Sequence, residues 1–408
     1  MRKNAKSEPF TGIKAIGFTY AATANIVLRT LGMFGATVVR VESHSRPCNL
    51  RVAQPYKDGK PGINRSGYFA MYNNDRYSLA LNLKHAKAPL VINRLLEWAD
   101  VIVENFSPGT VSRLGLGYEQ INRVNPNVIM LSISAQGQTG PHSFMPGYGG
   151  TISGLSGFNY ITGWPDRSPV NINQSYPDFI TPRFATVALM AAIDYRRRTG
   201  KGQYIDCSNY EACVSFLSPE ILDYTVNGRI TKRRGNSHAY MAPHGVYRCK
   251  GDDKWCAISV SNEDEWDTFC RIIGKTNLIN DPKYRTLLRR KKNEEELNQL
   301  IEEWTIYRSP KEVMALMQSA GISAGIVQNC EDLLNDPQLA HRKYFNILNH
   351  PEIGEHPYLS ANYILSETPA EVNSPAPLLG QHTEYVCKEL LGMPEEEFVN
   401  MLVDGVFD

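Results

Sequence analysis

The chain reads as an α/β protein: a large domain built on an open parallel β-sheet, split by a smaller α+β domain. Three observations predict it. Short apolar strand patterns alternate with helix-length amphipathic segments through the first half of the sequence. Strands spaced that way pair in parallel through right-handed crossovers. The texture then changes after residue 203, and 408 residues is long for one core, so two domains are the default.

The elements follow in order. "IKAIGF" (13–18) is a short buried strand, "TANIVLRTLGMFG" (23–35) a helix ending at Gly35, and "TVVRVE" (37–42) the next strand. The unit recurs with the strand "YSLALNL" (77–83), the helix "APLVINRLLEWA" and the strand "DVIVEN" (100–105). A helix at "YEQINRVNP" leads to the strand "VIMLSISA" (128–135). An apolar helix follows Asp178, and its basic end "RRRTGKGQ" closes at residue 203. "YIDCS" is a short strand, residues 209–228 a long helix, and "RITKRRGNSHAYMAPHG" a basic, glycine-interrupted loop. Strands at "GVYRC" and "WCAISV", with helices starting near Asn262 and Asn293, make the small domain. "ISAGIVQN" (322–329) opens a return to strand texture, and "APLLGQHTEYVCKELLG" is a loop and helix. The predicted division is 1–203 large domain, 204–245 connector, 246–320 small domain and 321–408 completion of the large one.

Composition narrows the function. A net charge of +1 gives no support to nucleic acid as a partner. The start "MRKNAKSEPF" lacks the apolar stretch of a secretory signal, and the longest apolar run (185–193) is far short of the about 20 residues a membrane span needs. Eight scattered cysteines without a C-x-x-C pair argue against zinc or a disulfide framework and fit reduced thiols. The expectation is a cytoplasmic protein with no metal and no membrane partner.

Ligands of open α/β sheets bind beyond the carboxyl ends of the strands. Here those ends run into "SHSRP", "SPGTVSRLGLG" and "GQTGPHSFMPGYGG". Neither G-x-G-x-x-G nor G-x-x-x-x-G-K-[ST] follows a strand, so a nucleotide-phosphate cradle is missing, and no G-x-S-x-G elbow exists. Asp178 stands before the apolar helix. Position alone favours a helix cap, since Asp there accepts backbone N–H bonds. A carboxylate so placed can also act as a nucleophile that takes an acyl group covalently. Pro182, four residues on, fits a first helical turn. "PGYGGTISGLSG" (146–157) reads equally as a flexible loop or as backbone that approaches a ligand and offers N–H groups to an oxyanion. Arg40, Arg46, Arg76, Arg113 and the 196–198 group suit phosphate, although most arginines are simply solvated. His238 and His244 read as structural.

Several motifs together resemble the class III CoA-transferase family. They are "GIKAIGF", "FGATVVRVES", "VENFSPGTVSRLGLGYEQINRVNPNVIMLSISAQGQTGP", "PGYGGTISGLSG", "RRRTGKGQYIDCS" and "PAPLLGQHT", which span nearly the whole chain. The resemblance implies a Rossmann-like large domain, an interlocked dimer with a second copy or a paralogue, and coenzyme A thioesters as substrates with no permanently bound cofactor. It implies that Asp178 is the catalytic carboxylate, attacking an acyl-CoA to give a mixed anhydride and then an aspartyl-CoA thioester. Arg40 would match nucleotide-side contacts. Arg76, Asn105, Phe106 and Arg113 would match pantetheine and phosphate contacts, and Tyr148 and Gly149 the thioester site.

Two departures bear on the substrate. "TYAATAN" (19–25) stands where many relatives carry an x-x-AGP turn, and "RRGNSHAYMAPHG" replaces the glycine run of formyl-CoA enzymes; both speak against oxalate. The loop leaves Asn236 or His238 as candidates to close the site. Related racemases use a histidine where this chain has Gly147-Tyr148-Gly149. With tyrosine one of the two bases for α-proton exchange is missing, which disfavours racemisation. An isomerase or lyase on the same scaffold, or a subunit of a heteromeric transferase, is the alternative. Phe158, Tyr160, Trp164 and Tyr240 could line a pocket for an aryl-bearing acid. The expectation is a transferase that takes CoA from a succinyl donor to an aromatic or dicarboxylic acid such as benzylsuccinate.

Overall fold

The computed structural model describes residues 8–172 and 176–408. The basic start, read above as no secretory signal, and residues 173–175 on the approach to Asp178 lie outside them. The chain forms two compact units: Met1–Asn159 with Asn171–Ile230 and Gln338–Asp408, and Tyr160–Val170 with Thr231–Pro337.

The first unit is built on a six-stranded parallel sheet. Its strands are β1 (Lys14–Phe18), β2 (Thr37–Glu42), β3 (Tyr77–Ala80), β4 (Val101–Glu104), β5 (Ile129–Ser134) and β6 (Gln203–Ser208). They lie in the order β3-β2-β1-β4-β5-β6, so the chain starts in the middle, winds out one way and returns beside β1 to wind out the other. This is the doubly wound order whose crevice opens between the ends of β1 and β4. Alternation within the strands feeds two cores. Ile16, Phe18, Val39, Val41 and Ile102 pack under α2 (Ala88–Trp98), α3 (Tyr118–Val124) and the C-terminal residues Phe398, Met401 and Phe407. Ala15, Val38, Val101, Val103 and Leu131 pack under α1 (Thr23–Met33) and α4 (Tyr176–Thr199).

The end of α4 explains the "TGKGQ" turn. Gly200 closes the helix in the left-handed region at φ +73°. A Cβ on Gly202 would lie 2.0 Å from the Val128 carbonyl oxygen, so only glycine lets β6 enter beside β5. At the other end, Pro182 falls inside α4, past its first turn. The proline lacks the N–H that would bond the Asp178 carbonyl four residues back.

The second unit has an antiparallel sheet of β7 (His244–Arg248), β8 (Trp255–Ser259) and β9 (Ser323–Ile326). Its helices bury Trp266, Phe269, Leu297, Ile301, Val313 and Met317 against that sheet. Two helix starts have the predicted asparagines at their caps: Asn262 accepts from the Glu265 N–H, and Asn293 stands before Glu294–Thr305. The strand texture at 322–329 completes this sheet instead of opening the return, because Ile322 sits in the small core. The long helix expected over 209–228 is broken into Asn209–Val214, a 3-10 turn and Ser218–Asn227, with Pro219 starting the last piece. Within the first unit, Phe345–His350 (β10) and Gly354–Leu359 (β11) form a hairpin.

Gly202→Ala is expected to destabilise the protein by about 2 kcal/mol or more, read as a lower urea midpoint at unchanged slope. A midpoint equal to that of the unsubstituted protein would show that β6 does not depend on the close approach.

Candidate active site

The site grows from the crevice between β1 and β4. β1 ends at Phe18, and residues 19–22 turn into α1. Asn105, just past β4, holds that turn from below: its Oδ1 accepts from the Tyr20 N–H at 2.8 Å and its Nδ2 donates to the Tyr20 carbonyl at 2.6 Å. Ala21 adopts φ +60°, a left-handed conformation costly for a residue with a Cβ, and Asn25 Nδ2 donates to its carbonyl at 2.6 Å. The turn delivers Thr23, the first residue of α1, to the start of α4. There its Oγ1 donates to Asp178 Oδ1 at 3.1 Å.

Asp178 lies in the first turn of α4, where peptide N–H groups without helical acceptors favour a carboxylate. Loss of water around the carboxyl works the other way and prevails. Burial raises its pKa from 3.8 to about 6, with the Thr23 hydroxyl opposing. The group is therefore mostly ionised at pH 7, poorly solvated, and correspondingly reactive. Burial also pushes the nearby Cys213 thiol up to about 11, with the Asp178 charge adding to it.

The other predicted residues fall into two sets. Asn105 and Phe106 follow directly on β4, Asn105 bonded to the turn and Phe106 half-buried against the core. The Phe106 N–H donates to Glu104 Oε2 at 2.8 Å. Tyr148 is exposed and precedes the buried Gly149, the first residue of the helix Gly149–Leu155, which packs on α4. Burial, then Cys48 and Tyr148, push the Tyr20 phenol up, while Arg46 pulls it down, which puts these side chains in one neighbourhood. Arg113 is exposed, with Nη2 donating to Thr110 Oγ1 at 3.0 Å. Arg40 and Arg76, expected as nucleotide-side and phosphate contacts, are instead interior. Arg40 is 0% exposed, with Nε on Thr19 Oγ1 at 3.1 Å, Nη1 on Asn73 Oδ1 at 3.0 Å and Nη1 beside Glu42 at 3.2 Å. Arg76 donates to Asn25 Oδ1 at 2.9 Å and to the Asn25 carbonyl at 2.8 Å. Both guanidinium groups are taken up by the turn's own scaffold, which leaves them no face toward a phosphate.

Of the aromatic residues, Phe158 belongs to the first unit and packs edge-on to Tyr176. Tyr160, Trp164 and Tyr240 belong to the second unit, as do Asn236 and His238. In that unit His244 Nδ1 lies 2.9 Å from Ser259 Oγ, and the His238 ring lies 5.1 Å from that of His244.

Sequence reasoning missed Thr23 and Glu104. Thr23 looked like one more helical residue; its signal was a hydroxyl at the first position of a helix leaving a strand end. Glu104 was hidden as the last letter of a strand, yet it is fully buried. Burial, with the Asp206 charge adding to it, raises its carboxyl to about 7 against the Ser132 hydroxyl and the Phe106 N–H. No group of His, Cys, Asp and Glu able to hold a metal occurs among the described residues.

A desolvated carboxylate beside the crevice of a doubly wound sheet is a group able to take an acyl chain covalently, which fits an α/β group transferase. Comparison with known proteins specifies it. The sequence matches CoA-transferase family III across residues 10–383, and the chain belongs to that family. It is 31% identical to succinyl-CoA:glutarate CoA-transferase of Mus musculus over 98% of this chain and 91% of that one. It is 30% identical to succinyl-CoA–D-citramalate CoA-transferase of Chloroflexus aurantiacus over 90% of each. Among solved structures it resembles a CAIB/BAIF family protein from Brucella suis, with a TM-score of 0.86 and 28% identity over 94% of this chain and all of that one. The protein is thus a class III CoA-transferase, and its substrates are CoA thioesters and carboxylic acids.

The raised pKa has a stability consequence with a definite sign. Between pH 3.8 and about 6 the folded protein holds a proton on Asp178 that the unfolded chain has released, so stability falls as pH rises through that window. Above it the ionised group costs at most about 3 kcal/mol. Asp178→Asn is expected to raise Tm at pH 7 and to change it little near pH 4. An equal shift at both pH values would contradict the assigned burial. If the ionised Asp178 takes part in the reaction, kcat/KM should fall below about pH 6, where it takes up its proton.

Proposed function

We propose that the enzyme moves CoA from succinyl-CoA to a dicarboxylic acid through covalent intermediates on Asp178. The observation that carries the reading is Asp178 itself: a desolvated carboxylate at the start of a helix, held by one hydroxyl at the sheet's crevice. Oδ2 attacks the succinyl carbonyl and expels CoA thiolate, leaving a mixed anhydride. The thiolate attacks Cγ of Asp178 and releases succinate, which carries away the attacking oxygen. The acceptor carboxylate attacks the resulting aspartyl-CoA thioester, and thiolate attack on the acceptor carbonyl frees its CoA ester and restores Asp178. Each intermediate keeps an activated acyl bond, so the protein's task is positioning and exclusion of water.

Asn105, Phe106, Arg113, Tyr148 and Gly149 are the proposed CoA and thioester contacts, on the resemblance and on the places of Asn105, Phe106 and Tyr148 around the turn. Arg40 and Arg76 are left out because their donors are used internally. A dicarboxylic acceptor is supported by two relatives, named for transfer between succinyl-CoA and glutarate or D-citramalate. Benzylsuccinate is the bulky, aromatic member of that class.

The enzyme is proposed to work as an interlocked dimer. The helix Ser218–Asn227 buries none of its residues and exposes Ile221, Leu222 and Val226, an apolar surface suited to a second chain. A reducing, cytoplasmic setting suits the eight free cysteines.

Incubation with succinyl-CoA followed by hydroxylamine should give a hydroxamate on Asp178. Asp178→Ala should lose at least ~10³-fold in transfer to glutarate, citramalate or benzylsuccinate. Full activity in that variant would end the nucleophile reading. Transfer only to monocarboxylic acids would end the dicarboxylate one.

A further inference from the structure

We infer that the Thr23 hydroxyl is the oxyanion donor for the steps that make and break the aspartyl-CoA thioester. The inference rests on the reading of Asp178 as nucleophile. An ionised carboxylate only accepts, so in the Thr23–Asp178 bond the hydroxyl donates. Among the described residues Thr23 is the one hydrogen-bond partner of that carboxylate, and it engages Oδ1, leaving Oδ2 without a partner. The two oxygens therefore have different roles: Oδ2 is free to attack, while Oδ1 remains as the carbonyl oxygen of every acylated form.

The charge flow follows from that division. When Oδ2 attacks succinyl-CoA, charge leaves the carboxylate, and a donor on Oδ1 gives no help. When CoA thiolate then attacks Cγ, the carbonyl pair moves onto Oδ1, which becomes a full oxyanion. Collapse restores the carbonyl and breaks the Cγ–Oδ2 bond, so succinate leaves with that oxygen. A hydroxyl held 3.1 Å from Oδ1 strengthens its bond at that moment, becoming charge-assisted. The gain is specific to the transition state, because in the anhydride and the thioester Oδ1 is a neutral carbonyl. Acceptor attack on the thioester uses the same donor.

Placement of the donor is fixed from the backbone outward. Thr23 is 4% exposed and β-branched, which stiffens χ1. The turn before it is clamped on both sides. Asn105 takes the Tyr20 N–H and carbonyl, and Arg40 donates to the Thr19 hydroxyl, which in turn donates to Asn25 Oδ1 at 2.8 Å. The donor is thus preorganised and needs no rearrangement during reaction.

The test compares Thr23→Val and Thr23→Ser by rapid quench with succinyl-CoA and glutarate. Thr23→Val should lower kcat ~10²-fold with KM changed less than ~3-fold. It should also raise the ratio of succinyl-CoA hydrolysis to transfer, as the mixed anhydride waits for a slowed thiolate attack. The acid limb of its kcat/KM profile should move to higher pH, because a donor to the carboxylate is gone. Thr23→Ser should restore all three. If Thr23→Val fails to fold, Thr23→Ala replaces it. The inference is overturned if the hydroxyl-free variant matches Thr23→Ser in kcat and in hydrolysis ratio while the Asp178 adduct still forms. Absence of that adduct in the unsubstituted enzyme would instead overturn the nucleophile reading.

Discussion

Water is withdrawn from the Asp178 carboxyl, and one hydroxyl replaces it. That exchange sets the requirements met by the surrounding structure. A carboxylate raised to about 6 costs the folded state free energy at pH 7, so the helix that carries it must be anchored elsewhere. The anchor is the apolar face of α4: Ala185, Leu189, Ala192 and Ile193 share one core with α1 and the sheet. Glycines 200 and 202 then let the chain turn directly into β6. The desolvation cost is local to the first turn of α4, and the rest of the helix offsets it.

The same logic explains why cations lie buried behind the site. Arg40, Arg76, Asn25 and Asn73 form one hydrogen-bonded net beneath the turn between β1 and α1. Glu42 neutralises part of the charge by pairing with Arg40 at 3.2 Å and Arg51 at 2.7 Å. Removing one member of such a net leaves the others unpaired in a dry interior, which makes the net rigid as a unit. Rigidity there is transmitted to Thr23, and through it to the orientation of the carboxylate.

Much of the fold was legible because periodicity reports it directly. β2 spans the predicted 37–42, and β1, β4 and β5 fall inside their predicted runs, since buried parallel strands read as short apolar blocks. The inserted segment 160–170 and the pairing of β9 were not legible, because membership of a compact unit is decided by long-range contacts. Asp178 could be located by its place before a helix, but its desolvation could not, since that depends on what α1 and its turn bring against it. The arginines misled for a related reason. Composition reports charge, and only packing shows that Arg40 and Arg76 face inward. Thr23 lay within "TYAATAN", read there only as a departure from the relatives' turn; its contact with Asp178 spans 155 residues of chain.

The most direct measurement follows an oxygen atom. A single turnover is run with succinyl-CoA and an acceptor acid whose carboxylates carry heavy oxygen, and the protein is then digested and weighed by peptide. If Asp178 forms the anhydride and the thioester, one heavy oxygen from the acceptor enters its side chain, because the acceptor oxygen stays behind when thiolate takes the acyl carbon. Incorporation confined to the peptide containing Asp178 is the predicted result. Efficient transfer that leaves no heavy oxygen in the protein would contradict the account.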